Sequence, residues 1–271
     1  MQGNIRWQQP YIDETGCVAH YSRLENLANI LHDKRLLLGS VEKLVDPRES
    51  SMGWLDTVGY GHKIDHQGKV AAEKIKRDLG KQLRVFCSVD AEENAKRKDY
   101  TGYIECSIYG HPRMWAQYGD NSRGFCLILD KEQLGIRIKD LAADPSHLLP
   151  GNIDYPPWIE LIEGGVELPY GEKREGKIGD VFQYVNQNSV LESVYFRKNI
   201  DWIGESEYRW LLFSETFEDI FVSIEGVVKA VVLGWKFPAN QFSQAKTYCN
   251  ALDCSCYVLQ YQYPQYGLIS I

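Results

Sequence analysis

The stretch "DWIGESEYRW", Asp201 to Trp210, interleaves acidic and aromatic side chains at the point where the apolar run "LLF" begins. If "SEYRWLLF" is a strand, alternation puts Glu207 and Arg209 on one face and the aromatic side chains on the other. Glu205 precedes them with the same spacing, so it joins the face of Glu207. We expect this strand to be buried on one face only, because unpaired acids are costly in a core.

Two interpretations of these acids stay open. In the first, the charged face of an edge strand lies in water, or a Glu207–Arg209 pair holds a sheet together. In the second, a carboxylate fixed on a rigid strand lines a pocket, the preferred place for a catalytic acid or base. We expect Glu207 to face such a pocket, with Trp202 packed beneath the turn and Arg209 keeping the carboxylate ionised.

The first forty residues predict a strand–helix–strand opening. "CVAHY" is a short strand that ends near His20, and "RLLLGS" is a second strand. Between them, "SRLENLANILHDK" carries apolar residues at helical spacing, with Ser22 as a plausible N-cap. Residues 50–68 are rich in glycine without a period, so we expect a mobile loop that borders the same cleft as His20.

The remaining pattern alternates strands with helices. The predicted elements, in chain order, are a helix "KVAAEKIKRDLGK", a strand "LRVFCSVD", a short helix and the turn "GDNSRG", a strand "FCLILD", a long helix "GDVFQYVNQNSVLESVYFRKN", a hairpin of "ESEYRWLLFSE" and "IFVSI", a strand "GVVKAVVLGW", a helix "ANQFSQAKTYCNALD" and a last strand "SCYVLQYQY". We therefore expect residues 1–271 to form one α+β domain of mixed, mostly antiparallel sheets with flanking helices.

The composition of the chain limits the classes of function that it can have. The net charge of −7 disfavours a generally basic nucleic-acid surface, although a local basic groove stays open. No apolar run approaches the roughly 20 residues of a membrane span, and the first residues lack a signal-peptide core, so we expect a cytoplasmic protein with no membrane partner. Aromatic residues make up 12% of the chain, which suits a core and also stacking pockets for bases or sugars.

The seven cysteines are read as reduced. Cys17, Cys87, Cys106 and Cys126 lie in apolar segments and are expected to be small core residues. Three more, at positions 249, 254 and 256, cluster near the end of the sequence. Their spacing fits no common zinc pattern and no His lies near them, so we predict no metal site.

Three further places hold candidate binding residues. His20, at a strand end before a helix, could bond a ligand hydroxyl or phosphate, or simply a backbone carbonyl. The planar fork of Arg48, in "VDPRES", could clamp a phosphate, or Arg48 could ion-pair with its acidic neighbours. Trp115 and Tyr118 share a helix face, which is more often core than a stacking platform.

Taken together, these motifs resemble a bacterial family, the domain of unknown function family 2971. The family's "HY", "L..IL", "L..S" and "NDP.E" elements correspond to His20-Tyr21, "LENLANIL", "LLLGS" and "VDPRE" here, with Val45 in place of the asparagine. Its "CFS" and "MW..Y" elements correspond to "FCSVD", with an offset, and "MWAQY". Its closing "K...W..E.E.R" is matched by residues 198–209. The resemblance spans roughly His20 to Gly234.

The opening of that family is in turn similar to ADP-ribosyltransferases, which implies an ADP-ribosyltransferase-like fold and NAD as substrate. By this resemblance Glu207, Arg209 and Glu205 are the catalytic candidates, because a late Glu orients the nucleophile and the ribose. His20 would hold the adenine-side ribose and Arg48 would reach the pyrophosphate. The full set of expected NAD-binding residues is His20, Tyr21, Ser40, Arg48, Ser88, Trp115 and Tyr118. No metal is implied.

The sequence then leaves three functions open. The first is an NAD-dependent ADP-ribosyltransferase or NAD glycohydrolase, acting as a bacterial toxin or an antiviral defence effector. The second is a non-catalytic module that binds a nucleotide or a partner, with Glu205, Glu207 and Arg209 as structural ion pairs. The third is a metal-dependent nuclease, which would need clustered acids. The acceptor of ADP-ribose stays open among protein, nucleic acid and water.

Overall fold

The computed structural model describes residues 11–56, 66–96, 107–157, 166–167, 178–187, 189–262 and 265–271. The chain divides into two compact units, each assembled from separated segments. Unit 1 comprises Met1–Leu36, Ser88–Arg137 and Val222–Ile271, and unit 2 comprises Leu37–Cys87 and Ile138–Phe221. The expectation of a single domain is not tested by this division and stays a prediction.

Unit 1 is built on a mixed sheet. Its strands are β1 (Cys17–Ser22), the end of β4 (Leu83–Asp90), β5 (Phe125–Asp130), β10 (Val228–Leu233), β11 (Ser255–Gln262) and β12 (Gln265–Ser270). The order is β12-β11-β10-β5-β1-β4, and only β10 and β11 run parallel within it. The central strand β5 is apolar along almost its whole length and is buried on both faces, as a middle strand requires.

The helices of unit 1 flank this sheet. They are α3 (Ala91–Lys96), α4 (Pro112–Gln117), α5 (Lys131–Lys139), which extends two residues beyond the unit boundary, and α8 (Phe242–Ala251). The core of the unit contains Tyr21, Trp115 and Ile128, among other apolar side chains. The Tyr21 and Trp115 rings meet edge to face, with centroids 5.1 Å apart.

Unit 2 has an antiparallel framework. Its strands are the main part of β2 (Arg35–Ser40), the first part of β4, β6 (Leu148–Asn152), β8 (Glu207–Phe213) and a two-stranded parallel pair of β3 (Leu55–Asp56) and β7 (Val166–Glu167). β8 lies between β4 and β6. The helices are α1 (Pro47–Ser50), α2 (His66–Gln82), α6 (Ile178–Gln187) and α7 (Val190–Tyr195). Apolar side chains of these helices and strands form one core, which includes Phe182, Tyr195 and Leu211.

Most predicted elements are confirmed, and the class is α+β with mixed, mostly antiparallel pairing. Five expectations are wrong in detail, and one strand is missing from the prediction. First, Ser22 belongs to β1 and is not an N-cap, and the segment after it is a 3-10 helix, Leu24–Asn26, followed by a π-helix, Ala28–His32. Second, residues 50–68 are not one loop, because α1, β3 and α2 each take part of them. Residues 57–65 lie outside the described part, as does Cys106.

The third and fourth errors concern the second half of the chain. The predicted long helix is two helices, α6 and α7, separated near Ser189, which adopts a left-handed φ of 54°. The predicted hairpin does not form, because β8 pairs with β4 and β6 and not with β9 (Ile220–Ser223). The prediction also stopped one strand early, since β12 follows β11.

The fifth error concerns β8 itself. Its residues are buried on both faces of the strand, and only Tyr208 is half-buried. The acids of the quoted stretch are therefore inside unit 2 and do not face water. None of the helices in the described ranges is both long and apolar enough to cross a membrane.

Candidate functional site

The acids at the start of β8 belong to a buried ion-pair cluster in unit 2. We define the Arg209 cluster as Glu49, Lys198, Glu205, Glu207 and Arg209, all of which are almost inaccessible to solvent. Glu207 and Arg209 come from β8, and Glu205 ends the 3-10 helix Ile200–Glu205 that precedes it. Ser206, between them, takes a left-handed φ of 45° and turns the chain into the strand.

Arg209 is the centre of this cluster. Its Nε donates to Glu207 Oε1 at 2.6 Å, and its Nη2 donates to Glu207 Oε2 at 3.2 Å. Toward the other side, Nη1 and Nη2 donate to the two oxygens of Glu49 at 2.6 and 3.1 Å. Nη1 also donates to the carbonyl of Tyr195 at 2.8 Å. These five bonds use all five N–H donors of the guanidinium.

Lys198 joins the two acids of the quoted stretch. Its Nζ lies 2.9 Å from Glu205 Oε2 and 2.8 Å from Glu207 Oε2, and all three side chains are buried. The same ammonium sits 5.0 Å from the centroid of the Trp202 ring, within range of a cation–π contact. Trp202 packs against the core of unit 2.

Charge pairing decides the ionisation of Glu207. Burial opposes its charged form, but the positive charges of Arg209 and Lys198 outweigh burial and lower the pKa of Glu207 from 4.5 to about 2. For Glu49, burial outweighs the same Arg209 and raises the pKa of that carboxyl. Burial disfavours the charged forms of Lys198 and Arg209, yet Glu207 raises the pKa of each above its usual range. Glu207 is thus a carboxylate at neutral pH, as predicted.

The cluster reaches two further side chains. The Tyr155 hydroxyl accepts a hydrogen bond from the backbone N–H of Glu207 at 2.9 Å. Cys87, on β4, is hydrogen-bonded to Glu207, and burial together with the charge of Glu207 raises the pKa of its thiol. A buried charge that loses its partner typically costs 3–5 kcal/mol, so each member depends on the others.

Arg48 has its own backbone partners. The carboxylate of Asp46 caps α1 by accepting from the Arg48 backbone N–H at 2.9 Å. The Arg48 guanidinium donates to the carbonyls of Ser193, Val194 and Arg197 at 2.9–3.1 Å. These contacts bind carbonyls at and just after the end of α7, where helix carbonyls have no partner within the helix. A phosphate could be clamped by this fork only if it displaced them.

The predicted binding residues of unit 1 lie in and around its core. His20 is half-buried on β1, opposite Leu127 of β5, so it is not sealed among apolar side chains. The Tyr21 hydroxyl donates to the Ile108 carbonyl at 2.7 Å, and Trp115 Nε1 donates to the Tyr109 carbonyl at 2.8 Å. Both rings are core residues, so ligand stacking on them would require the core to open.

Three predicted residues remain to be placed. Ser88, in unit 1, is buried, and Tyr118 packs against the edge of that unit's core. Ser40, in unit 2, is a cap: its Oγ accepts from the Glu42 backbone N–H and donates to the Gly80 carbonyl at 2.9 Å. His20 and Glu207 belong to different units, so their predicted meeting at one pocket stays a prediction.

Sequence reasoning missed the importance of Glu49 and Lys198. Glu49 looked like a local partner of Arg48, but its carboxylate binds Arg209, 160 positions away. The only sequence signal was its place in "DPRE", one of the family-like motifs. Lys198 was noted within "K...W..E.E.R" but was not named as a site residue.

Unit 1 also contains an open cleft of about 440 Å³. Its lining residues are Leu24, Glu25, Leu27, Ala28, Asp120, Arg123, Gln241 and Gln244. His20 is not among them. Within the described ranges, no three His, Cys, Asp or Glu side chains are grouped so as to hold a metal ion.

A comparison with known proteins finds a similar family for part of this chain. Residues 114–210 match the sequence model of a family described as "Protein of unknown function (DUF2971)". This confirms the resemblance over a segment that includes "MWAQY" and the motif from Lys198 to Arg209. No curated protein and no solved structure matches the chain significantly. The similarity to ADP-ribosyltransferases stays a prediction.

Proposed function

We propose that the chain is an NAD-dependent ADP-ribosyltransferase or NAD glycohydrolase. It would act in the bacterial cytoplasm as a toxin or an antiviral defence effector, with NAD as substrate and without a metal. The motif order supports this proposal, with His20 early, Ser88 in the middle and Glu207 late in the sequence. The acceptor would be a protein, a nucleic acid or water.

One observation carries the proposal: two carboxylates, Glu205 and Glu207, share the single ammonium of Lys198 at the start of a rigid strand. Cleavage of the nicotinamide–ribose bond passes through an oxocarbenium-like centre, as other glycosyl transfers do. A fixed negative charge beside that centre lowers the barrier. The lowered pKa of Glu207, about 2, keeps that charge in place at neutral pH.

The members of the cluster have different roles in this proposal. Glu205 and Glu207 supply the negative charge that faces the ribose, and either can bond its hydroxyl groups. Arg209, with every donor engaged by protein groups, is a positioning residue. Because both carboxylates are buried, NAD can reach them only if the segment Ile200–Glu205 moves outward. That segment already exposes Ile200 and Ile203 to solvent.

A second function is favoured by a different observation. Both oxygens of Glu207 accept hydrogen bonds from Arg209 or Lys198, and the side chain is only 5% exposed. This is the geometry of a structural ion pair. On that basis the chain would be a non-catalytic module that binds a nucleotide or a partner elsewhere on its surface.

Thermal unfolding with added ligands separates the function classes. The experiment measures the melting temperature of the full chain with NAD, with Mn²⁺, or with neither. Ligand at 100 times its Kd stabilises a protein by about 2.7 kcal/mol, which for a chain of this size is a shift of several degrees. We expect NAD alone to raise the melting temperature. A rise with Mn²⁺ alone would favour the nuclease, and no rise with NAD would leave the transferase without a substrate.

A further inference from the structure

Three of the cysteines meet at the end of α8 in unit 1. Cys249 lies in the last turns of α8, Cys254 follows the helix, and Cys256 is on β11. The Cys249 thiol is hydrogen-bonded to both Cys254 and Cys256. Cys249 and Cys256 are buried, whereas Cys254 is partly exposed to solvent.

The helix ending explains why two of these thiols touch. Asp253 adopts a left-handed φ of 53°, and the Cys254 N–H donates to the Cys249 carbonyl at 3.1 Å. The Asp253 N–H donates to the Asn250 carbonyl at 3.2 Å. This pair of bonds is a Schellman motif. In this motif the side chains at the positions of Cys249 and Cys254 normally make an apolar contact. Here that contact is made by two cysteines.

The third thiol changes the chemistry of this contact. The hydrogen bond from Cys249, and then the positive charge of Lys246, lower the pKa of Cys256 although burial opposes them. The bonds to Cys254 and Cys256, together with burial, raise the pKa of Cys249. The opposite directions of these two shifts identify Cys249 as the donor and Cys256 as the acceptor of the hydrogen bond between them.

We propose that Cys254 and Cys249 form a hydroperoxide-sensitive thiol pair, with Cys256 as a positioning residue. Cys254, the partly exposed thiol, meets the oxidant: its sulfur takes one peroxide oxygen to form a sulfenic acid, and one water leaves. The Cys249 sulfur then attacks the Cys254 sulfur and forms the disulfide. The Cys249 proton is lost as this bond forms, and the leaving hydroxide takes it up as a second water.

With hydrogen peroxide as the oxidant, two thiols and one peroxide are converted to one disulfide and two waters. The resulting bond closes a six-residue loop and ties the end of α8 to the chain just before β11. The pair is thus a modification site that is separate from the Arg209 cluster and does not depend on the proposed function.

Proteolytic mapping tests this site, because cleavage before Asp253 separates Cys249 from Cys254 and Cys256. The folded full chain is treated with hydrogen peroxide, its remaining thiols are alkylated, and the digest is examined by mass spectrometry without reductant. We expect the peptides on either side of Asp253 to be disulfide-linked and to separate with dithiothreitol. Cys17 and Cys126 are buried elsewhere in unit 1. They should still react with the alkylating reagent after unfolding, which would show that the chain stayed folded during the oxidation.

Single variants identify the partners. Cys254→Ser should abolish the linkage, and Cys249→Ser should leave a sulfenic acid at Cys254 that dimedone traps. Cys256→Ser should keep the linkage but form it several-fold more slowly. Absence of the linked peptides from oxidised, folded wild-type protein would overturn the proposal. An undiminished linkage in Cys254→Ser would overturn it as well, since Cys256 would then be the partner.

Discussion

At the scale of residues, Arg209 explains why acids enter a buried strand. Glu207 and Glu49 flank one guanidinium, and Lys198 holds Glu205 against Glu207. Alternation along the sequence was enough to place Glu207 and Arg209 on one face. It could not show that the opposite face and the charged face are both buried, because burial depends on strands from distant parts of the chain. The long-range partner Glu49 was hidden for the same reason.

The first prediction concerns the stability that Glu207 provides. Glu207→Gln keeps the shape of the side chain but removes the negative charge, so Arg209 and Lys198 lose a buried counter-charge. We expect a loss of about 3–5 kcal/mol in the free energy of unfolding at pH 7, measured by urea denaturation. The matched control is Glu192→Gln on the exposed side of α7, which should change stability by less than about 0.5 kcal/mol. Equal stabilities for the two variants would contradict the ion-pair description.

The second prediction gives the pH dependence of that contribution. The pKa of Glu207 is lowered on folding, from 4.5 to about 2, so its stabilising effect is complete above pH 4.5 and is lost as the pH falls toward 2. The difference in unfolding free energy between wild type and Glu207→Gln should therefore shrink by about 2 kcal/mol between pH 7 and pH 3. Glu49 acts in the opposite direction: burial raises its pKa and the negative charge of Glu207 adds to that rise, so the pKa of Glu49 is raised less in Glu207→Gln. A difference that does not vary with pH would contradict the assignment.

At the scale of elements, α7 shows where sequence periodicity stops being informative. The apolar stripe runs from residue 181 to 195 at helical spacing. The structure nevertheless has two helices there: α6 ends at Gln187, and α7 begins after Ser189, which is left-handed. Nothing in the spacing marks that residue, because serine is tolerated within helices. The strands carried a stronger signal, and "FCLILD" and "GVVKAVVLGW" were predicted correctly as strands. Strand partners, such as β6 for β8, could not be read from local patterns.

The third prediction concerns the end of α7. Arg48→Met removes three hydrogen bonds from a half-buried guanidinium to the carbonyls of Ser193, Val194 and Arg197. Leaving such acceptors without partners costs about 1–3 kcal/mol. We expect that loss in urea denaturation. We also expect hydrogen exchange to become faster in α7 than it is in the wild type, and to stay unchanged in α2. Arg77→Met, at an exposed position of α2, is the control, and comparable losses in both variants would show that Arg48 does not hold this helix end.

At the scale of the whole molecule, the two units were not visible in the sequence. Each is assembled from segments that are far apart along the chain, and no change in composition marks their boundaries. The class of the fold could be predicted, because period-two and helical patterns alternate throughout. The candidate site could be predicted in part. Glu205, Glu207 and Arg209 do form one cluster, whereas the meeting of Glu207 with His20 stays a prediction.

The central claim, that the carboxylates beside Lys198 serve NAD chemistry, is tested most directly by release of nicotinamide from NAD. The assay uses the folded full chain, Glu205→Gln and the control Glu192→Gln, with and without protein and nucleic-acid acceptors. We expect the wild type and Glu192→Gln to release nicotinamide at the same rate. We expect Glu205→Gln to be slower by roughly 10²–10⁴-fold while its melting temperature shows that it is folded. No release by the folded wild-type chain with any acceptor, or an unchanged rate in Glu205→Gln, would contradict the account.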